Sequence, residues 1–366
     1  MRIDEIDKNF SAPSVITEPD MLFINVKKKP FKIYGLLWDK DLDSPYLRMP
    51  RDIAAEVSER VAGLCDNTAG GRVRFATDSN CIAVRAKYEY VASMPKSSLL
   101  MSAGFDLYRH ENGTDRHIKS FSPSKTLLTD GTLQYEVAVY LLDNPAREMR
   151  DYTVHFPLYN GVKSLEIGFK KDSRLEEGPD YRSEKPIVYY GSSITQGGTA
   201  SHPGNCYPNL ISQVSNFDHV NLGFSGSAKG EARMAEYIAS LDMLAFVFDY
   251  DHNASRVEMY LETHGPFFRT VRRAHPDIPI IIVSRPKQKY DEVDKQRKEI
   301  ALETYRRAKA EGDENVYFVD GEGIYGGIFA DSCTIDNLHP NDAGFMRMAE
   351  KIGEPLIRAL GVEFNV

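Results

Sequence analysis

Ser192 and Ser193 stand side by side in YYGSSITQGG (189–198), where a short apolar run gives way to glycine. A serine hydroxyl attacks poorly at neutral pH unless a neighbouring base takes its proton. The chain has nine histidines. Only His339 combines a carboxylate three residues earlier, Asp336, with a position in the loop after the last apolar run. Such a carboxylate holds one ring nitrogen and favours one tautomer. A helical turn in DNLH would put both side chains on one side, and Pro340 would stiffen the loop. A tetrahedral intermediate also needs donors aimed at its oxyanion. The backbone near Gly226 in NLGFSG, the Asn253 amide in DYDHNA and the N–H of the nucleophile are the candidates. Arg285 and His252 are candidates for substrate binding. Sequence alone leaves Ser192 and Ser193 equivalent. Ser225 in GFSGS is no G-x-S-x-G elbow, because its second glycine falls one residue early. GFSGSAKG fails the dinucleotide fingerprint, and no P-loop is present.

These residues need a scaffold that gathers them. Near-continuous apolar runs occur at 187–190, 219–224, 244–250, 278–284 and 316–320. Runs of that kind suit parallel strands buried on both faces. Helical patterns at 206–214, 231–240, 262–275, 294–312 and 340–361 separate or follow them. The expectation is a doubly wound α/β domain with a five-stranded parallel sheet. In such sheets, ligands bind beyond the carboxyl ends of the strands. Every candidate above lies in a loop after a strand.

The first half has another texture. Residues 21–38, 71–90, 132–142 and 164–171 alternate apolar and polar residues between turn formers. This predicts an antiparallel β-sandwich. Ile53, Val57, Val61 and Leu64 recur at helical spacing and predict one helix over 50–66. The polar stretch 170–186 holds the expected boundary, giving a β-sandwich domain at 1–180 and a catalytic domain at 181–366.

The chain has 366 residues, long enough for two cores. Its formal net charge of -8 makes nucleic acid a poor partner. Cys65, Cys81, Cys206 and Cys333 form no C-x-x-C pair, so neither a zinc ribbon nor a disulfide scaffold is expected. No run approaches a membrane span. The first residues, MRIDEIDKNF, do not read as a signal peptide. A soluble protein is expected, cytoplasmic unless a leader has been removed.

Taken together, the blocks resemble the SGNH hydrolases, or GDSL-type esterases, named for a Ser, Gly, Asn and His from four blocks. GSS stands where that family has Gly-Asp-Ser, so the resemblance selects Ser193 and makes Ser192 its neighbour. NTAGGRVRFATDS (67–79), SAGFDLY (102–108) and FPLYNGVKSLEIGF (156–169) resemble the N-terminal domain of one bacterial subgroup, named for Gly-x-Asp-Leu-Tyr. The asparagine block lacks the common Asp after Asn253, which looks like the subgroup's own pattern. The resemblance implies a serine esterase in which Ser193 attacks, His339 is the base and Asp336 orients it. Ser193, Gly226 and Asn253 would form the oxyanion hole, and no metal or organic cofactor is implied. It further implies a short-chain ester, acetyl on a carbohydrate first. The alternatives are a lysophospholipase or thioesterase, or a glycan-binding protein with an idle hydrolase domain. GFDLY is expected to start a strand with a buried aromatic; reaching over the cleft is its functional alternative.

Overall fold

The computed structural model describes Ile6 and residues 16–88, 90–92, 94–123, 134–140 and 144–364. The opening MRIDE and the ends of the expected 132–142 strand lie outside them. The first half carries β1 (Met21–Asn25), β2 (Lys32–Tyr34), β3 (Arg72–Thr77), β4 (Cys81–Tyr88), β5 (Phe105–Glu111), β6 (Thr114–Phe121), β7 (Gln134–Tyr140), β8 (Arg150–His155), β9 (Val162–Lys170) and β10 (Leu175–Glu177). One sheet has the order β1-β9-β4-β7 and the other β10-β3-β8-β5-β6, with β2 on β3. All these pairs are antiparallel. The alternation has its usual cause. Ile82, Val84 and Ala86 of β4 meet Val73, Phe75, Leu107 and Val154 of the facing sheet in one core, while Lys87 is exposed. The turn at Asp78-Ser79-Asn80 is no hairpin; it carries the chain from one sheet to the other.

The single helix expected over 50–66 is two. These are α1 (Arg51–Val57) and α2 (Glu59–Leu64). Ser58 between them is extended, and its Oγ accepts the Val61 N–H at 3.2 Å, capping α2. A third short helix, α3 (Leu99–Ala103), precedes β5.

The second half holds β11 (Ile187–Gly191), β12 (His219–Gly223), β13 (Ala245–Asp249), β14 (Ile280–Val283) and β15 (Val316–Val319). They form one sheet in the order β12-β11-β13-β14-β15, and every pair is parallel. Its helices are α4 (Ser193–Gln196), α5 (Tyr207–Ser215), α6 (Ala232–Ser240), α7 (Val257–Ala274), α8 (Glu292–Ala310) and α9 (Asp342–Ala359). Val188, Tyr190, Phe246 and Ile282 pack with Ile238, Phe267 and Ala301 of α6, α7 and α8. Ile187, Tyr189, Val247 and Val283 pack with Ile211 and Phe345 of α5 and α9. Covering both faces explains the near-continuous apolar strands. Among the described residues, no helix is long and apolar enough to cross a membrane.

The two halves share more than a linker. Met49, Ala54, Val61 and Cys65 sit in the same core as Val188 and Ile238. The buried Arg48 donates to Asn221 O of β12 at 3.3 Å and to Leu64 O at 2.7 Å. Fully buried Arg72 donates to Asp218 and, at 3.1 Å, to His219 O. A boundary at 180/181 separates the sheets. We propose it as the division along the chain, with 48–66 crossing it in space.

Candidate active site

The Ser192-Ser193 block begins at the carboxyl end of β11, which lies between β12 and β13 in the parallel sheet. Ser192 is the N-cap of α4: its Oγ accepts the Ile194 N–H at 3.1 Å, and the residue is fully buried. Ser193 is the first helical residue. Its N–H belongs to the first turn, where a helix offers no internal acceptor. Its Oγ lies 3.1 Å from His339 Nε2. The pair that sequence could not separate is thus separated by geometry. One serine holds the turn and the other faces the histidine.

His339 Nδ1 is 3.0 Å from Asp336 Oδ2. The two side chains meet, but not through a helical turn. DNLH is a bend in which Asn337 adopts φ 62° and Ile335 N–H donates to His339 O at 3.0 Å. Asp336 Oδ1 accepts the N–H of Leu338 at 3.2 Å and of His339 at 2.8 Å. An aspartate side chain bonding the backbone ahead of it supplies this turn instead of helix geometry. Partial burial alone would push the Asp336 carboxyl up. The His339 N–H and ring and the Lys96 ammonium outweigh it and hold the group far below the usual carboxylate range. Asp336 is therefore a carboxylate, able to stabilise an imidazolium.

Asn253 lies in a 3₁₀ turn (Asp251–Asn253) after β13. Its Nδ2 donates to Phe224 O at 2.9 Å, which joins the asparagine block to the glycine block and leaves a second N–H on the same nitrogen. Gly226 has φ 67°, and nothing lies within 4 Å of where a side chain would begin. The residue keeps the left-handed backbone of the turn and leaves open space beside it. Gln196 locks the two loops together. Its Oε1 accepts the Ser225 N–H at 3.0 Å, while its Nε2 donates to Asn67 Oδ1 and Leu158 O.

Arg285, expected to bind substrate, is engaged elsewhere. Its guanidinium donates to Asp294 at 2.9 Å and to Asp251 at 3.4 Å. Arg297 also reaches Asp251, at 3.0 Å, and Ala254 O at 2.6 Å. Burying Asp251 demands such partners. The result is a fixed 3₁₀ turn beneath Asn253, so Arg285 acts on the turn. His252 lies in that turn with Nε2 buried and unbonded. Burial, then the nearby Arg285 and His339 charges, hold its pKa well below the ordinary histidine value, so the ring is neutral.

The sandwich half supplies residues that local sequence patterns did not flag. Tyr159 OH donates to Ser193 O at 3.2 Å, and Lys96 Nζ lies 3.0 Å from Asp336 Oδ2. Thr199 Oγ1 donates to Pro340 O at 2.7 Å, tying the serine loop to the histidine loop. GFDLY does not meet the cleft. Asp106 and Tyr108 are buried, and Asp106 Oδ2 accepts from Gly204 N–H and His202 Nδ1, each at 2.6 Å. A side chain on Gly204 would strike the Tyr108 hydroxyl, so the motif seats the 203–205 turn directly. The His117 ring lies tilted by 31° against that of His202, with centroids 4.8 Å apart. Within this cluster Asp106 and His202 are hydrogen-bonded, while His117 Nε2 lies 3.0 Å from Ser120 Oγ.

Two family matches divide the chain between them. Residues 184–358 match the GDSL-like lipase/acylhydrolase family, and residues 21–175 match the GxDLY N-terminus of SGNH-hydrolase-type esterases. The chain thus carries a GDSL-like lipase/acylhydrolase domain behind the GxDLY N-terminus of SGNH-type esterases. It is an ester hydrolase of the SGNH type, with the N-terminal domain of the GxDLY subgroup. None of the curated proteins matches it. Among solved structures it is similar to a GDSL-like lipase, described as putative, from Bacteroides ovatus (27% identity, TM-score 0.82, 94% of this chain and 100% of that one). Another is the salicylyl-acyltransferase SsfX3 of a tetracycline biosynthetic pathway (19%, 0.72, 94% and 99%). A third is an acetyl xylan esterase from Butyrivibrio proteoclasticus (14%, 0.57, 93% and 99%). The last two likenesses are of fold.

Proposed function

We propose that this GDSL-type hydrolase cleaves a short-chain ester, acetyl foremost, carried on a carbohydrate. The observation that carries the reading is the continuous relay from Ser193 Oγ through His339 to Asp336, with contacts of 3.1 and 3.0 Å. Ser193 Oγ attacks the ester carbonyl while His339 Nε2 takes its proton. Charge moves onto the carbonyl oxygen, where the N–H groups of Ser193 and Gly226 and the Asn253 amide receive it. His339 then protonates the departing alkoxide, leaving an acyl-serine. Water adds to that ester, His339 takes its proton, and the acid leaves as Ser193 regains its hydrogen. Asp336 stays ionised and stabilises the imidazolium at both stages. The acetyl and carbohydrate assignments draw on the acetyl xylan esterase among the similar folds.

A second reading, a lysophospholipase or thioesterase acting on longer acyl groups, has one observation in its favour. Ile328, Phe329, Ile335 and Leu338, all on the loop that carries His339, are exposed. Exposed apolar side chains clustered on one loop suit a longer acyl chain. The third, a glycan-binding protein with an idle hydrolase domain, is separated by activity alone. The test is hydrolysis of acetylated sugars beside aryl esters of increasing acyl length, with Ser193→Ala as control. The expected result is fastest turnover on acetyl and a loss of about 10⁶-fold in the variant, as for nucleophile removal in a serine protease. A preference for long chains selects the second reading. Wild-type rates no faster than those of Ser193→Ala would overturn the enzyme mechanism.

A further inference from the structure

We propose that Lys96, from the sandwich half, is a positioning residue for the Asp336–His339 pair. The inference rests on the serine-esterase reading and extends it to a residue outside the hydrolase domain. Both oxygens of the Asp336 carboxylate are engaged, and His339 Nδ1 reaches both, nearer to Oδ2 (3.0 Å) than to Oδ1 (3.3 Å). Oδ1 takes the backbone N–H groups of Leu338 and His339. Oδ2 takes His339 Nδ1 at 3.0 Å and Lys96 Nζ at 3.0 Å. Lys96 therefore fills the remaining side of the oxygen that holds the catalytic ring. Without it, that oxygen has only the ring to hold it, on a bend whose neighbouring residues Ile335, Asn337 and Leu338 are all exposed.

The lysine is delivered by an anchored segment. Ser97 N–H donates to Met94 O at 3.0 Å, and Met94 packs against the core beneath α5 and α9. Ser98 Oγ accepts the Met101 N–H, capping α3, and donates to Ser201 O at 2.7 Å. Ser201 N–H in turn donates to Asp342 at 2.9 Å, at the start of α9. The segment thus reaches both the serine loop and the histidine loop. The Lys96 side chain itself is 68% exposed, so replacing it removes the contact and leaves the core alone.

The charge has a second consequence. The groups facing His339 are Asp336, the Ser193 hydroxyl, the neutral His252 ring and, across Asp336, Lys96. An ammonium there offsets part of the carboxylate's pull on an imidazolium. Removing it makes the protonated ring more favourable. The pH at which the base becomes active then moves up.

The experiment measures kcat/KM for an aryl acetate from pH 5 to 9 in wild type, Lys96→Met, Lys96→Arg and Ser193→Ala. In Lys96→Met the acid limb should move up by about 0.3–0.7 pH unit. Its kcat/KM should fall about 3–10-fold at pH 6, with a smaller loss at pH 8.5, as expected for one partly exposed ion pair. Lys96→Arg should restore both, and Tm should not change. A Lys96→Met profile that superposes on wild type overturns the proposal. So does an arginine variant no better than the methionine one, or a loss matched by a fall in Tm. Wild type no faster than Ser193→Ala overturns the esterase reading itself, and the lysine's role with it.

Discussion

The serine and histidine ends of the relay are built in opposite ways. Ser192, Thr195 and Gln196, around the nucleophile, are fully buried and hydrogen-bonded to three separate strands or loops. Asp336 and His339 sit on a bend between exposed residues, held by an aspartate turn, by Thr199 through Pro340 and by Lys96. The Ser193 end is fixed by packing, whereas the His339 ring is held by a few polar contacts that solvent reaches. In this architecture, faults on the serine side should appear in stability. Faults on the histidine side should appear in rate.

The comparison can be broken most sharply at Asp336. Asp336→Asn should lower kcat by about 10³–10⁴-fold, the scale seen when the same substitution spoils the tautomer in a serine protease. Its Tm should stay near the wild-type value. A large drop in Tm with modest loss of rate would erase the contrast. The next test is Gln196→Ala, which leaves Ser193 untouched but orphans the Ser225 N–H and the Asn67 carbonyl. It should cost about 2–3 kcal/mol of unfolding free energy in a denaturant titration, since buried partners are left unpaired. If Gln196→Ala loses activity without losing stability, the serine side is not a packed platform.

A pH-dependent test concerns Asp249, at the end of β13 beside the helix that carries Ser193. Its Oδ2 accepts from Thr195 Oγ1 and Tyr207 OH, each at 3.2 Å, and Oδ1 has no partner. Burial pushes its pKa up to about 8, partly opposed by those two hydroxyls. A carboxyl whose folded pKa lies above its unfolded value favours folding most in acid. Stability is lost as pH rises from about 4 to about 8 and then levels off. Asp249→Asn removes the ionisation, so its Tm should exceed that of wild type at pH 8 and approach it at pH 5. Thermal melts across that range check the sign; a gap that widens toward acid would contradict it.

What the sequence disclosed and what it hid divide along the same physical line. The parallel strands were legible because burial on both faces writes itself into consecutive residues, as in 187–190 and 280–283. The sandwich was legible from alternation. Asp336 and His339 stand out because they share a short block after the last strand, the family resemblance separates Ser193 from Ser192, and the structure brings those three together. The break at Ser58 escaped periodicity, since Ile53, Val57, Val61 and Leu64 keep their spacing across it. The cap in Ser58-Glu-Arg-Val61 was its only local sign. A helical turn would satisfy the three-residue spacing of DNLH, yet an aspartate turn with Asn337 left-handed meets the same spacing. For Arg285 the sequence leaves substrate binding and pairing with an acid both open, and the acids it meets are Asp251 and Asp294. Lys96 and Tyr159 carried no local signal, because their roles arise only when one half of the chain folds against the other.

The helical pair at 51–64 has a consequence for how the protein is made. Its apolar side, with Ala54 and Val61, is completed by strands and helices that lie more than a hundred residues downstream. A ribosome delivers this pair more than a hundred residues before β11 and α6 emerge, so its apolar side waits uncovered while they are made. The same incompleteness makes the two halves natural complements. Chains severed at the exposed Glu184, each lacking the partner for part of its interior, should find one another in a mixed refolding and restore hydrolysis that neither fragment shows alone.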